Sequence, residues 1–309
     1  MSELFLAGTS IGGAVILPPN APAPGLHLIQ RATGGNPNLQ PEKANTLTAG
    51  VVLTPRFLPG FSASIDYYDI KIKDTIGTVG AQRIVDFCYE GVSGVCENII
   101  FSGNTPVAIL EVPVNFASQR TKGFDIEASY STPLSAISNN LPGNFRIHAA
   151  AAHVMSNVID NRIFPVDYAG VNYAFGGDPS RPNWSYRISA FYEADPVTIN
   201  LVARGFSSGV YSNEWVECAS NCPPSTSNNR TINNNRIAGA IYFSGSVSHK
   251  IRFSNNEAEL TFIVNNIFNR SPTLVGMDES GFSEYVPQTS RGLYDILGRV
   301  FRVAFTTKF

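Results

Sequence analysis

Four histidines are the first candidates for chemistry, because imidazole often binds metals or transfers protons near neutral pH. They are His27, His148, His153 and His249. His148 and His153 lie five residues apart in FRIHAAAAHV, which is patterned as a β-strand, so they point to opposite faces and cannot share a metal ion. GTSIGG near Gly8 contains the letters G-x-S-x-G, but no strand pattern precedes it and it lacks the spacing of a phosphate loop. The sequence contains no H-E-x-x-H. It therefore predicts no enzyme, no cofactor and no metal site.

The four cysteines form two close pairs, Cys88 with Cys96 and Cys218 with Cys222. Each pair lies in a long segment between β-strand patterns, and both segments belong to one side of the molecule. A zinc site needs four ligands, and neither pair has a histidine nearby. The spacing therefore predicts two local disulfides, formed in an oxidising compartment.

The low charge of the chain narrows the class of protein. Charged residues make up 15% of the 309 residues, against about 25% in typical soluble domains. The net charge of −2 provides no basic field for nucleic acid. No stretch approaches the ~20 apolar residues of a membrane helix, and MSELFLAGTS lacks a signal-peptide pattern. The remaining classes are a large all-β soluble protein and a protein that meets lipid through strands.

Any functional side chains must be positioned by strands with a twofold pattern. In EAELTFIVNN, the apolar residues Ala258, Leu260, Phe262 and Val264 alternate with polar neighbours, and only Ile263 is out of step. The last strand has a similar set, which consists of Phe301, Val303, Phe305, Thr307 and Phe309. Such alternation is typical of strands with one apolar and one polar face.

Nine such strands can be counted. The other seven are NTLTAGVVLTP, FSASIDYYDIKIK, GFDIEASY, FRIHAAAAHV, WSYRISAFYE, VTINLVARG and RIAGAIYFSGSVS. In the second of these, the apolar phase changes at Tyr67–Tyr68, which predicts either a β-bulge or a strand that emerges from lipid.

The connections between the strands alternate in length. TPRFLPG, SNNLPG, EADP and FSNNE are compact turns. The stretches after Ile76, Val158, Tyr211 and Phe268 run to about twenty to thirty residues, which is uncommon in compact soluble folds. This asymmetry is typical of outer-membrane barrels, which have short periplasmic turns and long extracellular loops. In the first long stretch, GAQRIVDFCYE predicts a short helix.

Five stretches follow one another over nearly the whole chain: NPNLQPEKANTLTAGVVL, FSASIDYYDIKIKDTI, QRTKGFDIEASYSTPL, LTFIVNNIFNRSP and YDILGRVFRVAFTTKF. They resemble motifs of the TonB-dependent outer-membrane receptors, in the family's order. The first resembles the N-P-x-L-x-P-E segment, and the fourth resembles the N-L-F-(N/D) element. The last resembles the closing Y-x-x-x-G-R-x-(F/Y) strand, and MSELF resembles the end of the R-A-P-x-x-x-E-L-F element.

The resemblance implies an all-β fold of antiparallel transmembrane strands, the C-terminal part of a barrel of about 22 strands. Residues 1–309 would form one partial barrel domain, with 1–44 as an extracellular segment entering the first strand and 45–309 as a nine-strand meander. The signal peptide, TonB box, plug domain and earlier strands would be missing from this truncated chain. The expected location is the outer membrane of a Gram-negative-type bacterium.

The faces of the strands then acquire expected roles. The polar phase would line the lumen, with Asp125, Glu127, Arg187, Glu193, Arg204, Glu257 and Glu259 in contact with water or a plug. Aromatic girdles at the two interfaces would contain Tyr67, Tyr68, Trp184, Tyr186, Tyr192, Tyr242 and Phe301. The resemblance also implies that the terminal aromatic residues Phe301, Phe305 and Phe309 form the signal read by the barrel-assembly machinery.

Ligand contacts are expected in the long loops, because binding residues concentrate in loops. The candidates are Tyr168, Tyr173, Asp178, Glu214 and Trp215. Their residue types suit sugars, siderophores or other small polar ligands. The predicted function is energised uptake of a scarce nutrient by an intact receptor, with the TonB complex engaged through the missing N-terminal part and this portion inactive alone. The alternatives are a soluble all-β binding or structural module and a small outer-membrane pore.

Overall fold

The computed structural model describes residues 2–91, 95–160, 165–173, 180–225, 230–253, 256–275 and 288–308. Its helices are α1 (Ser2–Phe5) and α2 (Ala81–Tyr89), with 3-10 turns at Cys96–Asn98 and Leu134–Ala136. The strands are β1 (Thr9–Leu17), β2 (Gly25–Thr33), β3 (Lys43–Leu53), β4 (Phe61–Gly77), β5 (Ile99–Ser102), β6 (Thr105–Glu111), β7 (Val114–Pro133), β8 (Asn144–Asp160), β9 (Pro165–Asp167), β10 (Trp184–Ala194), β11 (Val197–Phe206), β12 (Gly209–Val210), β13 (Val216–Glu217), β14 (Thr231–Ile232), β15 (Arg236–Ile237), β16 (Ala240–Phe253), β17 (Asn256–Asn265) and β18 (Val300–Lys308).

Nine strands form the main sheet, in the order β3-β4-β7-β8-β10-β11-β16-β17-β18, and β9 pairs beside β8. Every pairing along this path is antiparallel between consecutive long strands. The described residues thus form an up-and-down meander with β3 and β18 at its two edges, so the barrel is not closed. The prediction of about nine antiparallel strands is confirmed.

The alternation of connection lengths is also observed. Short turns join β3 to β4, β7 to β8, β10 to β11 and β16 to β17, whereas long connections follow β4, β8, β11 and β17. Because the strands alternate in direction, all long connections lie at one end of the main sheet, the long-loop end. The short turns lie at the other end, the short-turn end.

The two faces of the main sheet differ in character. We call the mainly apolar face the outward face and the mainly polar face the inward face. On the outward face, Leu260 is opposite Phe305 and Phe262 is opposite Val303. These four side chains remain 44–69% exposed, although they are apolar. These described side chains of the outward face are therefore not covered by protein, as expected of a surface that meets lipid.

The change of phase at Tyr67–Tyr68 has a simple structural reason. The register of β4 with β7 runs without interruption from Phe61 to Ile72, so the predicted β-bulge at Tyr67–Tyr68 is wrong. The strand continues instead, and its outward positions beyond Tyr67 become the charged residues Asp69 and Lys71. This agrees with the alternative prediction of a strand that emerges from lipid.

A second, four-stranded sheet lies at the long-loop end, in the order β1-β2-β6-β5. Together with α2 it forms a small unit that we call the cap. The cap joins the segment before β3 to the long connection after β4. Its two strands within residues 1–44 were not predicted from the sequence, whereas the helix in GAQRIVDFCYE was and is confirmed.

The cap has its own core. The fully buried side chains are those of Val15 and Leu17 of β1, Val85 of α2 and Ile109 of β6. Buried Glu111 accepts hydrogen bonds from the Arg31 guanidinium at 2.9 and 3.0 Å and from the backbone N–H of Ala81, in the first turn of α2. A carboxylate at this position satisfies a free N–H group of the helix and interacts favourably with the helix dipole.

Within the described part of the chain, no helix has the length and apolar character required to cross a membrane.

Candidate ligand-binding site at the long-loop end

An aromatic platform lies at the long-loop end, formed by Tyr173, Tyr211 and Trp215. The ring centroids of Tyr173 and Tyr211 are 5.4 Å apart, and those of Tyr211 and Trp215 are 6.1 Å apart with nearly parallel planes. The Arg230 guanidinium carbon lies 6.0 Å from the Trp215 ring centroid, which is the range of a cation–π contact. The platform offers π-faces and one positive charge at the surface of the loops.

Local pairing holds the platform together. The short strands β13 and β14 pair in parallel, which brings Trp215 and Arg230 side by side although they belong to different parts of the loop. The buried Asn235 side chain accepts hydrogen bonds from the N–H groups of Tyr211 and Ser212 at 3.1 and 3.3 Å and donates to the Ser212 carbonyl at 2.8 Å. These bonds fix the loop backbone beneath the rings.

The structure brings together only some of the predicted ligand residues. Tyr173 and Trp215 both belong to the platform, and exposed Glu214 precedes Trp215 in the chain. Tyr168 lies at the foot of its loop, where its N–H donates to the Asn157 carbonyl at 2.9 Å. Asp178 lies outside the described residues.

Sequence reasoning missed Tyr211 and Arg230. Tyr211 ends a strand pattern and was assigned to no site, although it connects the two predicted rings. Arg230 follows a polar stretch, and only the parallel pairing of β13 with β14 reveals its contact with Trp215. The clustering of Tyr and Trp in two loops was the one signal available for the platform.

A layer of aromatic residues on the inward face supports the platform from below. Phe206, Tyr242 and Tyr294 are buried in one cluster, and Tyr173 and Tyr211 pack against it. The Tyr294 hydroxyl donates to the Ala238 carbonyl, and the Asp295 N–H donates to the Tyr242 hydroxyl at 3.2 Å. Burial raises the pKa of the Tyr294 hydroxyl, so it remains a neutral donor at neutral pH. The last long connection is thus fastened to the inward side of β11 and β16.

Below this layer, a cavity of about 450 Å³ has charged residues along its wall. Arg187 and Arg204 lie opposite each other on β10 and β11, and the Arg204 guanidinium lies 5.0 Å from the Tyr242 ring. On the other side of the cavity, Glu127 pairs with His148 at 2.6 Å. Acidic and basic side chains therefore face the interior at similar heights, as predicted for the polar phase.

The outward face carries a row of four aromatic rings that are in register across four adjacent strands. Tyr67, Phe124, His153 and Trp184 are register neighbours on β4, β7, β8 and β10. His153 stacks on Trp184 at 4.3 Å, and Phe124 contacts both rings. The row agrees with the girdle prediction for Tyr67 and Trp184.

Two of the predicted girdle residues lie elsewhere. Tyr242 is almost fully buried on the inward face. Tyr68 also faces inward, and its ring lies over Gly123, where a Cβ atom would collide with the ring. The position of a residue near the end of a strand does not reveal which face of the sheet its side chain occupies, because adjacent residues point in opposite directions.

The four cysteines occupy two of the long connections. The Sγ atoms are 2.05 Å apart between Cys88 and Cys96 and 2.22 Å apart between Cys218 and Cys222. The first pair anchors α2 to the following 3-10 turn in the cap. The second pair follows β13, next to the aromatic platform. Among the described residues, no three His, Cys, Asp or Glu side chains converge to hold a metal ion.

The family model described as TonB dependent receptor-like, beta-barrel matches residues 12–267, most of the chain. The chain belongs to this family. A search of curated proteins finds no match to the receptor chain. Among solved structures it is similar to the siderophore receptor PirA from Acinetobacter baumannii, with 15% identity and a TM-score of 0.53 over 99% of this chain and 36% of that chain.

The receptor chain is also similar to the ferric enterobactin receptor PfeA from Pseudomonas aeruginosa. The identity is 12% and the TM-score 0.51, over 90% of this chain and 33% of that chain. At these identities the likeness concerns the fold. The chain spans about a third of the length of both receptors, in agreement with an open, partial barrel.

The terminal strand of the receptor chain has the predicted alternation. Phe301 and Phe305 point outward and are 58% and 63% exposed, and the Phe301 ring stacks near Phe262 at 6.1 Å. Phe309 lies outside the described residues. The apolar outward set of this strand therefore includes two of the three residues expected to act as an assembly signal.

Proposed function

We propose that this chain is the C-terminal barrel portion of a receptor that imports a ferric siderophore across the outer membrane of a Gram-negative-type bacterium. The TonB complex would supply the energy through parts of the receptor that are not in this chain, and this portion alone would be inactive. The observation that carries the ligand assignment is the aromatic platform with Arg230, placed at the long-loop end above a charged inner wall.

The open main sheet supports inactivity of this portion alone. With nine antiparallel strands, β3 and β18 run in the same direction. A second copy would place β18 beside β3 in a parallel pair, which the antiparallel barrels of outer membranes do not use. Antiparallel closure therefore requires a segment with an odd number of strands. We propose that the preceding part of the receptor provides it.

The chemistry of the platform favours a siderophore over an uncharged ligand. A ferric complex of an anionic chelator carries negative charge, and many chelating groups are flat and aromatic. Such a ligand can stack on Tyr211 and Trp215 while the Arg230 guanidinium neutralises part of its charge. The two similar structures are those of a siderophore receptor and a ferric enterobactin receptor.

A carbohydrate is the second candidate, because tyrosine and tryptophan rings also stack on sugar faces. The two ligands make different demands on Arg230. A neutral sugar would need the rings and lose little affinity without the guanidinium, whereas an anionic ferric complex needs both.

Binding to the full-length receptor tests the proposal. With a ferric siderophore as the probe, we expect Trp215→Ala and Arg230→Gln each to weaken binding by about tenfold or more. A hydrogen bond to a charged group contributes about 1.5–3 kcal/mol, and an aromatic stack contributes about 0.5–1.5 kcal/mol in addition to the apolar area it buries. Trp184→Phe is the matched control, because Trp184 is the other tryptophan and lies on the outward face. Unchanged binding by both platform variants would refute the assignment, and loss in Trp215→Ala alone would favour the carbohydrate.

The proposal extends to assembly and surroundings. The outward face would contact outer-membrane lipid. The terminal strand, with Phe301, Phe305 and Phe309, would be recognised by the barrel-assembly machinery. Exposed outward rings on the last strand support this role, because they leave a continuous apolar edge available before the barrel closes.

A further inference from the structure

The aromatic row on the outward face fixes the height of one membrane interface. Tyr67, Phe124, His153 and Trp184 lie side by side on four strands. Aromatic rings concentrate at the boundary between hydrocarbon and headgroups. The next outward rung toward the long-loop end carries the charged residues Asp69 and Lys122, so the row marks the outer boundary. Side chains below it face acyl chains, and outward side chains above it face headgroups.

Directly below the row is an apolar groove on the outward face. It has a volume of about 310 Å³ and is lined by Ala49, Val51, Ile65, Tyr67 and Phe124, with the backbone of Gly50. Ala49 of β3, opposite Tyr67, has a side chain too small to fill this space on the outward face. A lipid-facing surface is usually covered by loosely held chains, whereas this groove provides walls on two sides for one of them.

Directly above the row is a basic cluster on the same strands. Lys122 lies opposite Asp69, and Arg120 lies opposite Lys71, all at outward positions. Arg120 forms a two-pronged ion pair with Asp69, with N···O distances of 2.9 and 2.6 Å. Lys71 and Lys122 occupy the same two adjacent rungs as the paired Arg120 and Asp69, so the four residues are neighbours on the outward face.

The charges of this cluster do not cancel. On these two rungs there are three cations, Lys71, Arg120 and Lys122, and one carboxylate, that of Asp69. Further along β4, Lys73 lies opposite Lys43 of β3 and adds two more positive charges to this face. At about 3.4 Å per residue before tilt, the rung of Asp69 and Lys122 lies about 7 Å beyond Tyr67, within the headgroup layer, and the rung of Lys71 and Arg120 lies about 7 Å further, at its outer edge.

We propose that the outward face of β3, β4 and β7 binds a phosphate-bearing lipid of the outer leaflet. One acyl chain lies in the groove between Val51 and Phe124, and the phosphate contacts Lys71 and Lys122. The observation that favours a lipid over free phosphate is the placement of an apolar groove and a cationic cluster on the same strands, on either side of the interface. This site is independent of the ligand that the receptor transports.

The test uses the full-length receptor in phosphatidylcholine nanodiscs, with lipid A carrying both phosphates as the probe and native mass spectrometry to count bound lipid. We expect Lys71→Gln with Lys122→Gln to weaken binding by about thirtyfold, because each basic residue near a charged membrane surface contributes about a factor of five. Ala49→Phe, which fills the groove from the outside, should also reduce retention of the lipid. The matched control is Lys250→Gln with Arg302→Gln, which removes two charges from the inward face and should bind like the parent.

Two further arms separate the possible sources of phosphate. Lipid A without phosphates should bind to the parent receptor as weakly as lipid A with both phosphates binds to the double variant. Inorganic phosphate at the same concentration should not compete. Equal binding of the two lipids, unchanged binding by the double variant, or full competition by inorganic phosphate would each overturn the proposal. Equal loss in the control variant would show a general charge effect and would also overturn it.

Discussion

The strands of the main sheet and of the cap alternate apolar and polar residues in the same way, but the apolar faces of the two sheets are covered differently. In the cap, Val85 and Ile109 are 0% exposed, because α2 covers one face of the four-stranded sheet. In the main sheet, outward Phe262 and Val303 remain 46% and 69% exposed. An alternating pattern therefore specifies a sheet with two unlike faces, and the surroundings decide whether protein or lipid covers the apolar one.

The comparison also explains where polar groups are buried. The cap places a buried carboxylate, Glu111, where Arg31 and the first turn of α2 can satisfy it. In the main sheet, the charged residues below the aromatic row point toward the interior, where Arg187 and Arg204 remain exposed. A small unit with a protein core must pair its buried charges, whereas a barrel with a polar interior does not.

The largest effect is expected from the cap core. In the full-length receptor, Ile109→Ala should destabilise the cap by about 2–5 kcal/mol, because it leaves a cavity among fully buried side chains. Hydrogen exchange should show faster exchange in β1, β2, β5 and β6 and unchanged protection in the main sheet. Leu28→Ala is the control, since Leu28 is 82% exposed on the other face of the cap sheet. Equal loss of protection in both sheets would show that the cap is not a separate unit.

An outward charge in the main sheet should have the next largest effect. Phe262→Arg should destabilise the folded receptor in lipid by about 2–4 kcal/mol, because it places a cation in the hydrocarbon layer. The neighbouring change Thr261→Arg faces inward and should cost much less. Equilibrium unfolding in lipid vesicles measures both. A larger cost for Thr261→Arg than for Phe262→Arg would reverse the assignment of the two faces.

The cysteine pair in the cap should have a smaller effect. Replacing Cys88 and Cys96 together by serine removes a short loop closure, for which the chain-entropy relation gives about 2–3 kcal/mol. Exchange should accelerate in α2 and leave the aromatic platform unchanged. Thiol labelling of the parent receptor provides the direct check: two reactive thiols at these positions, without reductant, would show that the predicted disulfide does not form.

Much of the main sheet could be predicted from the sequence, because the alternation within a strand and the length of a connection can be read from neighbouring residues. The alternation in EAELTFIVNN identified β17 and its two faces, and the lengths of the connections identified the long-loop end. The aromatic platform was predicted only in part. Tyr173 and Trp215 stand in loops rich in aromatic residues, but nothing near Arg230 indicates its partner, because β13 and β14 pair across a long insertion.

The cap illustrates the other limit of sequence reading. Leu26 and Leu28 alternate with polar residues as in any strand, but β2 pairs on one side with its neighbour β1 and on the other side with β6, about eighty residues later in the chain. A local pattern cannot identify so distant a partner, since its selection depends on the core that both strands share with α2. Tyr242 shows the same limit within one strand, since the register of β16 decides whether its side chain points inward or outward.

The sequence by itself determined the twofold alternation, the number and direction of the long strands, the end that carries the long loops and the receptor family. These properties depend on neighbouring residues and on short motifs. Only the tertiary structure decided that the segment before β3 folds into the cap, that Trp215 meets Arg230, and that Lys71 and Lys122 lie above an apolar groove. Each of these depends on contacts between residues far apart in the chain, and strand register and packing create them.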